Sequence, residues 1–285
     1  MKTWPVIDTS FTVGVSPMIH YFAEEELLPD MDNNGVDIQV IHQPDESFFH
    51  RTPDWNPYLG NDYISKIKNM ASDRILGLAT LQMWHQPNPS QKYEVENIAE
   101  KELERAILDL NLNGLRINPI QHNIAFNDRN ICWNILEKLT KLQKVANRRM
   151  LVSVHAAGDS LYNSPEAITE TAQRFPDLIF LMQQTGFVWG GFTVCDLPGN
   201  VQNIFFDITA MPQYAIAYKA YERFGATKFC IGTDGPYSNN KIKEAILNDF
   251  AQNDFERNLI LGGNLHQLLF RQNKKTNRVS YGQQF

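Results

Sequence analysis

Short apolar runs alternate with longer segments of helical period along this chain, and the alternation recurs eight times. The apolar runs are Val6-Ile7-Asp8, then residues 35–42, 75–80, 114–117, 150–155, 178–182, 203–207 and 229–232. Between them, Leu103, Ala106, Ile107 and Leu110 recur at the spacing of one helix face, as do Ile131, Ile135, Leu139 and Leu142. Residues 23–28 and 63–72 read as further helices. Ser164-Pro165 reads as a helix start, a hydroxyl cap followed by proline at the first helical position, and that helix closes near Phe175-Pro176. Strands that alternate with helices argue for βα units and a parallel sheet. Eight such units in 285 residues predict an α/β fold, a single (β/α)8 or TIM barrel over residues 1–270, with a polar tail over 271–285. A doubly wound sheet is the alternative, but no Gly-x-Gly-x-x-Gly follows the first strand.

The composition narrows the class. A 43% hydrophobic content supports a sizeable core, and a net charge of −6 without any Lys/Arg block argues against nucleic acid as a partner. No apolar run approaches membrane-spanning length, and the first residues lack the apolar centre of a signal peptide, so no membrane partner and a cytoplasmic location are expected. Cys132, Cys195 and Cys230 are widely spaced and share no metal-ligand pattern, which predicts reduced and mostly buried thiols.

The strand ends carry the chemistry. In Lys228-Phe229-Cys230-Ile231-Gly232-Thr233-Asp234-Gly235-Pro236, an apolar run stops on a carboxylate and the chain must turn at once. In a barrel, that places Asp234 on the catalytic face. The same pattern equally fits an Asx-turn onto the Gly-Pro step. His155 closes the fifth run and Arg116 sits in the fourth, where it can pair with an internal acid such as Asp8, Asp37 or Asp207. His42 and His85 follow the second and third strands, as substrate contacts or as polar rim residues, and Thr209 lies two residues past Asp207 and can face the pocket. His20, His50, His122 and His266 carry weaker signals, and Ser10 lacks the Gly-x-Ser-x-Gly turn of a nucleophile. Residues 44–60 carry Phe48, Phe49, His50, Trp55 and Tyr58, and residues 185–200 carry Phe187, Trp189 and Phe192. Both read as an aromatic lid or as rim packing.

Several segments taken together resemble the amidohydrolase superfamily, in the branch of aminocarboxymuconate semialdehyde decarboxylase and the dicarboxylate lactonases. They are Gly35-Val36-Asp37, Gly114-Leu115-Arg116, Phe175-Pro176-Asp177-Leu178, Gly232-Thr233-Asp234-Gly235-Pro236-Tyr237 and the closing stretch 260–270. The resemblance implies a metallo-dependent hydrolase fold with a mononuclear zinc site. Its ligands would come from a His-x-His on strand one, histidines on strands five and six, and an aspartate on strand eight. Here Ser10 and Thr12 stand in for the paired histidines and Gln184 for the strand-six histidine, while His155 and Asp234 match. Hydroxyls and a carboxamide are poor zinc donors, so a degenerate metal site is expected, with divalent metal weak or absent and zinc if any. Asp8 as a third ligand is the rescue; anchoring the strand end is its other role. The resemblance further implies hydrolysis of a lactone, ester or amide in a small carboxylate-bearing molecule. Asp234 would be the base, His155 the acid partner, and Arg116, His42, His85, Gln184 and Thr209 the binding residues. A non-oxidative decarboxylase and a non-catalytic binding barrel are the alternatives, and a homodimer is the assembly that the resemblance suggests.

Overall fold

The computed structural model describes residues 4–16, 19–44, 57–83, 92–156, 160–186, 191–199, 201–209, 214–237, 247–248 and 251–270. The chain enters through β1 (Ile7–Thr12) and a short antiparallel hairpin, β2 (Gly14–Ser16) with β3 (Ile19–Tyr21). Seven strands follow: β4 (Ile38–His42), β5 (Ile75–Ala79), β6 (Gly114–Ile117), β7 (Leu151–His155), β8 (Ile179–Gln183), β9 (Ile204–Asp207) and β10 (Phe229–Cys230). Their order round the sheet is β1-β4-β5-β6-β7-β8-β9-β10, all parallel. Beyond β10 the chain returns to β1. The Thr9 amide donates to the Ile231 carbonyl at 3.1 Å, and the Thr12 amide donates to the Gly235 carbonyl at 2.7 Å. These bonds close the eight strands into the expected barrel.

Helices lie between the strands, among them α1 (Ala23–Asn33), α2 (Pro57–Lys68), α3 (Lys92–Leu108), α4 (Pro119–His122), α5 (Cys132–Val145) and α6 (Pro165–Arg174). Ser164 caps α6 as its sequence predicts, its hydroxyl accepting from the Ala167 amide at 3.2 Å. No helix among the described residues is long and apolar enough to cross a membrane. The three cysteines are free, and two of them are buried.

Side chains alternate across each strand, and the two faces fill two separate cores. Leu115, Val152, Val154, Phe180, Met182 and Phe206 point outward and pack in one cluster with Leu103, Ile135, Leu139 and Ile168 of the helices. Ile7, Ile38, Val40, Leu76, Leu78, Leu151, Ile179, Leu181, Phe205 and Cys230 point inward and form the second, with Leu265 of the closing helix Asn264–Leu269. That helix therefore plugs the N-terminal end of the barrel. Asn264 fixes it there, its amide nitrogen donating to the carbonyls of Ala226 at 2.7 Å and Phe229 at 2.8 Å. Going up each strand from this apolar plug, the inward positions turn polar: Thr9, Arg116, Ser153, Gln183 and Asp207. The open end is thus the C-terminal end, as barrel logic requires.

Three local features depart from the sequence reading. β1 runs on to Thr12 where its apolar signal stops at Asp8, because a bulge between Asp8 and Phe11 re-aims the strand and lets Phe11 pack outward on Tyr21. The hairpin β2–β3 and the helix Tyr214–Phe224 are additional elements; the helix buries Ile216, Ala217, Ala220 and Tyr221 on one face, a helical period present in the sequence. Finally, α1 extends to Asn33 through Pro29, past the expected end near Leu28.

Candidate active site

Three neighbouring strands build the centre of the mouth. In the ladder Arg116 lies opposite Ser153, and His155 lies opposite Gln183, so β6, β7 and β8 aim these side chains into one volume. Arg116 is buried, only 5% exposed. Its Nη1 donates to Gln183 Oε1, and its Nη2 lies 3.5 Å from His155 Nδ1. A guanidinium can only donate, so this Nδ1 is the acceptor and the ring hydrogen belongs on Nε2. Gly114 makes this packing feasible. Its φ of 156° and a Cβ that would fall 1.8 Å from the Leu151 carbonyl oxygen leave room for no other residue where β6 meets β7.

A second polar group lies deeper, on β9. Asp207 is fully buried. Its Oδ1 accepts from the Thr209 amide at 2.8 Å and from the Thr209 hydroxyl, and its Oδ2 accepts from the Thr9 hydroxyl at 2.8 Å. Burial pushes its carboxyl up from 3.8 to about 7, against the pull of the threonine bonds and with a further push from Asp8. Gly232 leaves space for this cradle, since a Cβ there would meet Thr209 Oγ1 at 2.1 Å. Thr209 therefore spends its hydroxyl on Asp207.

On β1, Ser10 and Thr12 are both buried. Thr12 pairs with His42 across the ladder, and the Ser10 hydroxyl is 3.4 Å from His42 Nε2, while His42 Nδ1 lies 2.7 Å from the Gln43 carbonyl and so donates to it. Asp8 takes the anchoring role. Its Oδ1 accepts from the Thr233 amide at 2.8 Å and the Ser10 amide at 3.2 Å, and its Oδ2 accepts from the Thr233 hydroxyl. It clamps the β1–β10 seam from the side facing α1, on the face opposite to Thr9. Asp234 follows at once, half-buried, with a left-handed φ of 55° that sets the turn after β10.

The sequence points to Gln184 on strand six, whereas the residue that reaches Arg116 is Gln183; Gln184 stands one step beyond, half-buried, with φ of 60°. Ser153, Gln183 and Asp207 lack a motif, yet strand parity identifies them. Counting by twos from Leu151 gives Ser153 and His155, from Ile179 it gives Leu181 and Gln183, and from Phe205 it gives Asp207. The aromatic side chains of the two long loops, His85, the tail 271–285 and the side chain of His20 lie outside the described residues. His122 is buried on α4, and His266 stacks on Phe270 in the closing helix, 5.1 Å between ring centres.

The side chains at the expected ligand positions do not fit a zinc site. Among the described residues, no group of three or more His, Cys, Asp or Glu could hold a metal ion. Ser10 is turned to His42, and Nδ1 of His155 faces a fixed guanidinium, a poor neighbour for a second cation.

No family model and no curated protein matches this sequence. Solved structures match its shape over nearly the whole chain. With 5-carboxyvanillate decarboxylase from Sphingomonas paucimobilis the TM-score is 0.63 at 17% identity, covering 93% of this chain and 98% of the other. A Staphylococcus aureus protein provisionally named an amidohydrolase gives a TM-score of 0.68 at 16% identity, covering 93% and 99%. For 4-oxalomesaconate hydratase from Rhodopseudomonas palustris the values are 0.63 and 14%, covering 93% and 95%. At these identities the likeness is one of fold, and this chain is a (β/α)8 barrel of the kind those three proteins share.

Proposed function

We propose that the protein is a member of the amidohydrolase superfamily with a degenerate metal site, which hydrolyses a lactone, ester or amide bond in a small carboxylate-bearing molecule without tightly bound zinc. The observation that carries this reading is the buried guanidinium of Arg116 set against His155 and Gln183 at the mouth. A planar fork of donors inside a low-dielectric barrel is matched to a carboxylate and holds it in one orientation. In this reading Asp234 takes a proton from water as its oxygen attacks the carbonyl carbon. His155 donates a hydrogen bond from Nε2 to the developing oxyanion, and Asp234 then passes the proton it took to the departing oxygen or nitrogen as the carbonyl re-forms and the bond to that atom breaks. His42 and Thr209 shape the pocket rather than touch substrate, since His42 already meets Gln43 and Ser10, and the Thr209 hydroxyl holds Asp207. Gln184 serves as a rim contact, and His85 is kept as a binding residue from its sequence position alone. The protein is expected to act in the cytoplasm, with a homodimer as the expected assembly.

The test is turnover of a panel of lactones, esters and amides, each with and without a carboxylate. The reading predicts hydrolysis of carboxylate-bearing members and a drop of about a hundredfold or more in kcat for Asp234→Asn. Carbon dioxide release from aromatic or dicarboxylic acids, with no hydrolysis, would replace it by a carboxy-lyase. Binding without turnover would replace it by a non-catalytic barrel.

A further inference from the structure

Two buried polar atoms on the strands next to Arg116 are left over after the bonds described above. Ser153 is fully buried and Gln183 is 2% exposed, yet Ser153 Oγ and Gln183 Nε2 have no hydrogen-bond partner among the described residues. A buried polar group without a partner is unfavourable by about 1–3 kcal/mol, so two of them in one layer need an explanation. Both flank the same guanidinium. Ser153 is the ladder partner of Arg116, and Gln183 is bound to Arg116 through its other amide atom. That bond fixes the amide orientation: Oε1 faces the guanidinium, so Nε2 presents its hydrogens elsewhere in the interior. Below Ser153 on the same face is Leu151, part of the apolar plug. A hydroxyl at this depth has no packing reason to be there, since the inward neighbours beneath it are aliphatic.

We infer that Ser153 and Gln183 form the inner half of an anion subsite that, together with Arg116, receives the carboxylate end of the ligand below the barrel rim. This rests on the carboxylate reading above and adds to it the residues that select the group. The subsite offers a hydroxyl, an amide N–H and a guanidinium, all able to donate, so it suits carboxylate oxygens and repels ammonium groups. The ligand then enters with its anionic end first and leaves its reacting bond level with His155.

The test is calorimetric titration and thermal melting of the full chain with acetate, succinate and benzoate at neutral pH, with benzamide as the uncharged control. Ser153→Ala removes one donor. Gln183→Glu keeps the oxygen that Arg116 needs and replaces the free donor with a second acidic oxygen. The subsite predicts that Ser153→Ala weakens carboxylate binding about tenfold while the melting temperature without ligand is unchanged or higher. Gln183→Glu abolishes carboxylate binding and leaves the protein folded. Benzamide binds none of the three proteins. A Ser153→Ala protein that melts lower without ligand and binds carboxylates as tightly as before would mean that the hydroxyl serves only a buried water, and would overturn the inference. Carboxylate binding that both variants weaken, in a protein that hydrolyses nothing, keeps the subsite and removes the hydrolase reading. Hydrolysis with KM unchanged in both variants does the reverse, as does a native protein that turns over substrate but binds no carboxylate.

Discussion

Replacing Asp207 with asparagine should remove most of a pH dependence built into the barrel. The side chain is fully buried and its carboxyl is raised from 3.8 to about 7, burial being the main cause. Between those values the unfolded chain has released the proton while the folded chain keeps it. The unfolded state therefore binds fewer protons, and stability falls as pH rises from 3.8 through about 7. Above that the loss is complete. At about 1.4 kcal/mol per pH unit, the full effect is about 4 kcal/mol, of which about 3 kcal/mol develops between pH 5 and pH 8. Asparagine carries no such proton and fits the same cradle. Its oxygen can accept both Thr209 bonds, and its amide can donate to the Thr9 hydroxyl. Urea unfolding of both proteins at pH 5 and pH 8 reads the effect directly, because other titrating groups cancel in the difference. The variant should gain on the native protein by about 3 kcal/mol across that interval and be the more stable of the two at pH 8. A variant less stable than native at pH 8, with a constant gap at both pH values, would mean that the threonine bonds hold an ionised carboxylate, and the argument would fail.

Asp8→Ala should destabilise the fold by about 3 kcal/mol in the same urea assay, since it strands the buried amides of Thr233 and Ser10 at the seam that closes the barrel. A loss under about 1 kcal/mol would show that the seam does not depend on this clamp. Gly232→Ala should cost about 1–3 kcal/mol, because its Cβ falls 2.1 Å from Thr209 Oγ1 and must push the Asp207 cradle apart. An unchanged melting temperature would contradict that packing. Asn264→Ala should remove about 1–2 kcal/mol by freeing the carbonyls of Ala226 and Phe229, and should speed amide exchange in the closing helix without altering turnover. Unchanged exchange there would refute its docking role.

The barrel was legible because its signals are local. Gly114–Ile117 is found where the apolar run lies, and β7, β8 and β9 each fall within a residue of their sequence estimates. Ser164 before Pro165 was enough to declare a helix start. The candidate site was legible in part. His155, Arg116 and Asp234 stand at strand ends, but their partners are distant in sequence: Arg116 meets Gln183 67 residues on, and Asp207 meets Thr9 across 198. No periodic pattern encodes such a bond. The bulge in β1 is hidden for a related reason. Thr9, Ser10 and Thr12 carry no apolar signal, and only the return of β10 shows that they complete a ladder. Gln183 was readable from alternation alone, and spacing against a family pattern drew attention to its neighbour instead.

The central claim is that a fixed guanidinium, not a caged metal ion, supplies the positive charge at the mouth of this barrel. Metal analysis of the protein purified without chelator, with turnover measured before and after EDTA, tests it most directly. The account predicts well under one zinc per chain and turnover that EDTA leaves unchanged. One zinc per chain, lost together with activity in EDTA and absent from His155→Ala, would contradict it.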